Sequence, residues 1–341
     1  MTRIYLYEHI TAQSIGHDPA STEHSLFVEG RAMLRAIHED FSAIPAVEVS
    51  VGSPGEFAER AAVADWSFVI APETDGVLLQ LAAEVQRVGG RLLGPSLAAI
   101  TLTSDKYSLF QHWRKHGVPT PETALSPERP NCWPCVVKRR DGAGSEGMKL
   151  VLSAAKYDTL PGPWIAQQYC PGIPVSMAFL IGPRETVALP PTFQLISSDG
   201  QFRYGGGLLP IAPLLASRCE RLARQAIADV PGLLGYIGVD MILGDAEDGS
   251  GDVALEINPR LTTSYVGLRA YLRGSIAAMM LEIANGITSQ TQLSQRGRLS
   301  FNSAGKTEKH PAYDFWNVPS DYFSISSFFS KTGCYISYSS E

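Results

Sequence analysis

Along the first hundred residues, apolar positions switch repeatedly between period two and the helical period. Short β-rich runs at Ile4 to Tyr7, Val47 to Val51 and Phe68 to Ala71 alternate with helical patterns at Leu26 to Phe41, around Phe57 to Val63, and at Val77 to Val88. This alternation predicts an open α/β layer built on a mostly parallel sheet. Gly89-Gly90 closes its last helix, and Leu92-Leu93-Gly94-Pro95 reads as a short strand leading into a crossing linker.

Beyond the linker the pattern changes. Ser104 is expected to cap a helix over Asp105 to His116, closed by Gly117. Two short strands, Cys135 to Lys138 and Met148 to Leu152, bracket a glycine-bearing loop and read as a small mobile lid. Longer strands follow at Ile165 to Tyr169, Val175 to Ile181, Thr186 to Ile196, Tyr236 to Leu243 and Val253 to Ile257, with helices near Leu214 to Ala228 and Tyr265 to Ala284. That spacing predicts an antiparallel sheet backed by helices. After about Ser294 the apolar period decays into a Ser/Phe/Tyr-rich tail to which no role is assigned. The expected organisation is therefore a mixed α/β, α+β chain with an N-terminal layer over 1–97, a lid over 98–164, a sheet domain over 165–294 and a tail over 295–341.

Composition narrows the function. The chain has 341 residues, 45% of them hydrophobic and 18% charged, enough for a substantial core and several domains. A net charge of -6, with no Lys/Arg cluster interleaved with aromatics, argues against a nucleic-acid partner. Charges interrupt every long apolar stretch and Met1 to Glu8 reads as a strand, so neither a membrane partner nor a signal segment is expected and the location is read as cytoplasmic. The five cysteines are odd in number and scattered, and reduced thiols are expected. Cys132-Trp133-Pro134-Cys135 has the spacing of a redox motif but runs into a strand rather than opening a helix, so it reads as core or turn cysteines. His9, His17 and His24 read as solvated loop residues and are not assigned to catalysis.

Two groups of residues carry chemistry. Lys138 ends a strand immediately before Asp141-Gly142-Ala143-Gly144-Ser145-Glu146-Gly147, where an ammonium can meet phosphate oxygens cradled by the N–H groups of Gly142, Ala143 and Gly144. A flexible hairpin tip would show the same glycines. Lys106 opens the preceding helix, a position at which a lysine is usually solvated surface. Downstream, Asp240 lies inside an apolar strand, and Glu256 and Asn258, two apart on the next strand, share one sheet face. Their oxygens suit Mg²⁺, which binds through few protein carboxylates plus phosphates and water. The plainer reading leaves Glu256 and Asn258 on a solvated outer face. Arg260, just past the strand, could stabilise a transferring phosphoryl group or form an ordinary salt bridge.

Taken in order, Ser104-Asp105-Lys106, Val137-Lys138 with its glycine loop, Ile165-Ala166-Gln167-Gln168-Tyr169, Asp240 and Glu256-Ile257-Asn258-Pro259-Arg260 resemble the ATP-grasp superfamily over about Gly94 to Leu268. The resemblance implies an ATP-grasp fold and an ADP-forming ligase that activates a carboxylate as an acyl phosphate and passes it to an amine. It implies ATP and Mg²⁺, with Mn²⁺ able to substitute, and small-molecule carboxylate and amine partners; a homodimer is left open. By resemblance, Lys106, Lys138, Gly142, Ala143, Gly144 and Ser145 hold phosphates, Gln167, Gln168 and Tyr169 form the nucleotide-binding linker, Asp240, Glu256 and Asn258 hold the metal, and Arg260 acts with Lys138 at the transferred phosphate. Gln167 and Pro174 stand where many members have ribose-binding glutamates. Gln168-Tyr169-Cys170-Pro171-Gly172 and the run from Ile257 to Gly267 are similar to the branch containing the tyramine–glutamate ligase, which suggests an amino-acid-like substrate. Thr262, Thr263 and Ser264 are placed to meet substrate or to cap a helix. The rival readings are a carboxylase or phosphotransferase on the same nucleotide site, and a non-catalytic nucleotide-binding regulator.

Overall fold

The computed structural model describes residues 1–310 except 22, 143–146 and 158–163. Calls on Ala143, Gly144, Ser145 and the end of the tail lie outside the described residues. The N-terminal layer runs β1 (Thr2–Glu8), α1 (His9–Ala12), α2 (His24–Ser42), β2 (Val47–Val51), α3 (Phe57–Val63), β3 (Trp66–Ile70) and α4 (Val77–Arg87). Its sheet, β2-β1-β3, is parallel throughout. The alternation of strand and helix patterns dictates this arrangement, since parallel neighbours need a crossover element between them. The short strand expected near Leu92 is reduced to a single parallel bridge to Ser67.

Where a linker was expected stands a helix, α5 (Leu97–Ser104), capped by Ser96, whose side chain accepts from Ala99 N. Asp105, not Ser104, then caps α6 (Lys106–Lys115), accepting from Tyr107 N and Ser108 N. A carboxylate bonds these orphan donors and favours the positive helix end, so it outcompetes the adjacent hydroxyl. The lid sheet follows with β4 (Thr123–Leu125), β5 (Cys135–Arg139), β6 (Lys149–Val151) and β7 (Trp164–Gln168), in the order β4-β7-β5-β6.

The large sheet takes β8 (Ile173–Ile181), β9 (Thr186–Ala188), β10 (Thr192–Ile196), β11 (Tyr204–Leu209), then α7 (Pro213–Ala228), β12 (Gly235–Leu243) and β13 (Val253–Asn258). It is completed after α8 (Ser264–Tyr271), β14 (Leu272–Arg273), α9 (Ile276–Ala284) and β15 (Ser294–Gln295) by β16 (Arg298–Asn302) and β17 (Thr307–His310). The order is β13-β12-β8-β10-β11-β16-β17, with β9 also on β8, and every pairing is antiparallel.

Four local expectations change. The strand over Thr186 to Ile196 is split at Pro190-Pro191, which lack the N–H a ladder needs. The helix over Tyr265 to Ala284 breaks at Gly274, whose φ of +97° suits glycine and whose absent Cβ would lie 2.3 Å from Gln292 O. β11 carries Gly205-Gly206-Gly207, which hides its strand signal; a Cβ on Gly206 would lie 2.0 Å from Phe301 O, so only glycine lets β16 approach. Finally, residues just past Ser294 are not structureless, because β16 and β17 close the sheet edge.

Side chains alternate across the large sheet. Met177, Phe179, Ile237 and Val239 pack on α7 through Cys219, Leu222 and Ala226. On the opposite face Ala178, Leu180 and Tyr236 join a core that includes α8, α9 and the N-terminal Met33, Ile37 and Phe41. This shared core fixes the N-terminal layer against the face of the sheet that carries Tyr236. Among the described residues no helix is long and apolar enough to cross a membrane.

Candidate active site

One cleft, enclosing about 280 Å³, opens between the lid, the large sheet and α2. Its lining includes Lys106, Lys138, Gly142, Gln167, Gln168, Tyr169, Asp240, Glu256, Asn258 and Arg260. Every described site residue expected from the sequence is thus brought together, from segments far apart in the chain.

Asp240 sits on the same face of β12 as Tyr236, opposite α7, and pairs in register with Glu256. The ladder slips there: Asp240 faces Glu256 while Met241 faces Ala254, leaving Leu255 as the extra residue of a bulge. The bulge lets Ala254 and Ile257 both enter the α7 core while Leu255, Glu256 and Asn258 line the cleft. Asp240 accepts from Gln194 Nε2 and Asn258 Nδ2, each at 2.9 Å. Burial, reinforced by the neighbouring Glu256 carboxylate, pushes Asp240 well above the ordinary carboxylate range. Burial also acts to raise Glu256, but Lys106 and Lys138 outweigh it and hold that carboxyl low.

Lys106 is not solvated surface. The Asp105 cap places it in the first turn of α6, and its Nζ donates to Gly142 O at 2.6 Å and lies 3.1 Å from Glu256 Oε2. Lys138, on β5, is only 6% exposed. Burial lowers its pKa to about 8, against the pull of Glu256, with Lys106 adding to the fall. Two ammonium groups and two carboxylates therefore share one largely buried volume.

The linker is more committed than its position suggests. Gln167 is buried and donates to Thr123 Oγ1 at 3.2 Å, while the N–H groups of Gln168 and Tyr169 go to Glu122 O and Pro134 O. Pro174 lines the cleft at the start of β8. Tyr169 faces Phe202, their ring centres 6.2 Å apart, so the β10–β11 loop reaches over the linker.

Arg260 is buried and held bidentate by Glu73, at 2.9 and 3.0 Å, with a third bond to Leu261 O. Thr262 and Ser264 bond Tyr236 Oη, each at 3.1 Å. The sequence offered no signal for Glu73 or for Glu29, which also lines the cleft; both come from the N-terminal layer, where single acids look like surface. His9, His17 and His24 are not among the cleft-lining residues. Cys132, Cys135, Cys170 and Cys219 are free thiols, and burial pushes Cys135 up to about 11, the reverse of an activated redox thiol.

The donor set of Asp240, Glu256 and Asn258 fits magnesium. Two carboxylates and an amide carbonyl are hard oxygen donors, and Asp240 and Glu256 crowd one another as like charges that a divalent cation would relieve. Among the described residues no group of three His, Cys, Asp or Glu could hold a metal alone, which suits an ion that completes its shell with phosphate and water.

Comparison with known proteins agrees with this geometry. The ATP-grasp domain family matches residues 103–264, and the pre ATP-grasp 3 domain matches residues 37–100. Tyramine–L-glutamate ligase of Methanocaldococcus fervens is 28% identical over 221 residues, 65% of this chain and 66% of that protein. The matched region thus spans just under two thirds of the curated relatives' length. A solved ATP-grasp superfamily protein from Archaeoglobus fulgidus is 26% identical and superposes with a TM-score of 0.68 over 89% of this chain and 92% of its own. Carboxyaminoimidazole ribonucleotide synthase from Aspergillus clavatus, solved with ATP, shares the fold at 17% identity, with a TM-score of 0.64 over 88% of this chain and 81% of its own. Residues 103–264 thus carry the ATP-grasp domain behind a pre ATP-grasp 3 domain over 37–100, and with the paired lysines facing a carboxylate–amide sheet face the chain resembles the ATP-grasp superfamily proteins.

Proposed function

We propose that this protein is an ATP-dependent carboxylate–amine ligase that releases ADP and phosphate. The observation carrying this reading is the convergence of Lys106 and Lys138 on Asp240, Glu256 and Asn258 in one cleft. Buried ammonium groups are costly without anions, and the two carboxylates leave room for more negative charge only if a cation joins them. ATP with magnesium supplies both. Asp240, Glu256 and Asn258 would hold the magnesium, which when bound neutralises phosphate charge.

The protein's own groups then have distinct tasks. Lys138 and Lys106 lie where charge develops on transferring phosphoryl oxygens, and being fixed in a low-dielectric cleft they need no reorganisation. Lys106 also tethers the glycine loop through Gly142 O, coupling phosphate binding to the position of the lid. Closure of that lid excludes water from an acyl phosphate that water would otherwise hydrolyse. Arg260, its orientation set by Glu73, faces the same volume. The substrate carboxylate attacks the γ-phosphorus, and the amine then displaces phosphate to form the amide. The likeness to tyramine–L-glutamate ligase points to an amino-acid-like acid and a primary amine as the substrate classes. An N-terminal layer, a lid that includes β7 and a sheet domain that runs on through β17 serve this mechanism by enclosing the cleft between them.

The test is ADP release with MgATP, L-glutamate and a panel of amines including tyramine, beside Lys138→Ala. Amine-dependent ADP release that disappears in the variant is expected. ATP binding without ADP formation for any acid and amine would instead favour a nucleotide-binding regulator, and bicarbonate dependence a carboxylase.

A further inference from the structure

Among the described residues three carboxylates line the cleft, and one of them lacks a strong partner. Asp240 is bonded by two amides and Glu256 faces Lys106. Glu29 receives a single hydrogen bond, from Thr263 Oγ1 at 3.3 Å, long for a hydroxyl donor. Among the described residues no cation forms an ion pair with it. Glu29 is half-buried, and the fully buried acids nearby are engaged: Glu8 caps α1 through Ile10 N and Thr11 N, and Glu73 holds Arg260.

The placement of Glu29 is enforced. Met33 and Ile37, four and eight positions on, share the side of α2 that carries Glu29 and are buried with Phe41 in the core shared with α8 and α9, so the helix cannot turn the carboxylate to solvent. A carboxylate kept in such a volume without an ion pair of its own, the nearby Arg260 being held by Glu73, costs free energy, and what would relieve it is a cationic donor brought by a ligand. Lys106 and Lys138, the lysines of the cleft, face Glu256, and neither forms an ion pair with Glu29.

We propose that Glu29, steadied by Thr263, binds the ammonium group of the acceptor amine and takes its proton. The inference rests on the ligase reading above and names how its second substrate is held. The acceptor enters as a primary ammonium, and one N–H proton passes to the Glu29 carboxylate. The freed lone pair forms the C–N bond at the acyl carbon, the C–O bond to phosphate breaks with its electrons going to phosphate, and the second N–H proton leaves with phosphate as hydrogen phosphate. Burial pushes Glu29 up to about 7, against Thr263 and Arg260, which suits a group that must accept a proton near neutrality.

Glu29→Gln keeps the shape and removes the charge. Hydroxylamine, largely uncharged at neutral pH, serves as an acceptor with no ammonium to hold. With L-glutamate as acid, extended to other amino acids where that acid is silent, wild-type hydroxamate formation tests the ligase reading by itself. In Glu29→Gln, hydroxamate formation is expected within about threefold of wild type, while kcat/KM for tyramine or the panel's best amine falls about 100-fold or more. That loss is expected to shrink as pH rises and free amine becomes abundant, and Glu29→Asp is expected to recover part of it. Equal loss of both products, with ATP affinity and Tm unchanged, would assign Glu29 to the acid and overturn the proposal. Unchanged amide formation would overturn it too. No hydroxamate and no ADP from wild type with any acid would remove the ligase reading, and this inference with it.

Discussion

Lys138→Met tests the site through two readouts of opposite sign. A unit charge about 4 Å from a phosphate oxygen, at an effective dielectric near 20, is worth about 4 kcal/mol. Removing one preorganised donor from a transition-state charge costs about 100- to 1000-fold, and kcat/KM for ATP is expected to fall by that factor. Stability should move the other way. Burial lowers Lys138 from the ordinary 10.5 to about 8, so at about 1.4 kcal/mol per pH unit the charged lysine costs the ligand-free fold about 3 kcal/mol at neutral pH. Between these values the unfolded chain binds more protons than the folded one, so wild-type stability rises with pH through this window, and the penalty is complete below about pH 8. Methionine removes the penalty but leaves Glu256 with one neighbouring cation fewer, and a net gain of about 1–2 kcal/mol is expected at pH 7. Urea unfolding in EDTA at pH 7 and pH 10, beside the ADP assay, reads both effects. A variant that loses activity and also unfolds more easily at pH 7 would refute the reasoning, as would activity within fivefold of wild type.

Asp240→Asn and Glu256→Gln should each lower turnover about 1000-fold or more and raise the magnesium needed for half-maximal rate, measured by magnesium titration at saturating ATP. Glu73→Gln strips Arg260 of its bidentate partner in a buried setting and should cost about 3–5 kcal/mol, read as a lower Tm; no change in Tm would contradict that setting. Asp252→Asn breaks the equally buried pair with Arg218, far from the cleft, and should destabilise by a similar amount while KM for ATP stays unchanged. Phe301→Ala, on the strand added after residue 295, should cost about 3–5 kcal/mol in urea unfolding, whereas a negligible change would remove that strand from the core.

Much of this protein was decided locally. The strand and helix periods of the N-terminal layer, the alternation of Val175 to Ile181 and Tyr236 to Leu243, and the two-residue spacing of Glu256 and Asn258 depend only on side chains a few positions apart, which is why they are legible in the sequence. The ordered lysine, glycine-loop and carboxylate motifs likewise pointed to the family before any contact was known.

Tertiary structure decided the rest, because its causes lie far away in the chain. Gly205 to Gly207 carry no strand signal of their own and are required only by the close approach of β16, and the run after Ser294 has no period of its own because β11 supplies its hydrogen-bond partners. Lys106 looks like surface in sequence and becomes part of the site only when α6 sets it beside Glu256, 150 positions on. Glu29 and Glu73 carry no motif; packing of the N-terminal layer on α8 and α9 brings Glu29 to the cleft and Glu73 onto Arg260. A local pattern can state which face of an element is apolar, but only the assembled core determines which polar groups lose water together, and that shared loss of water is what makes them a site.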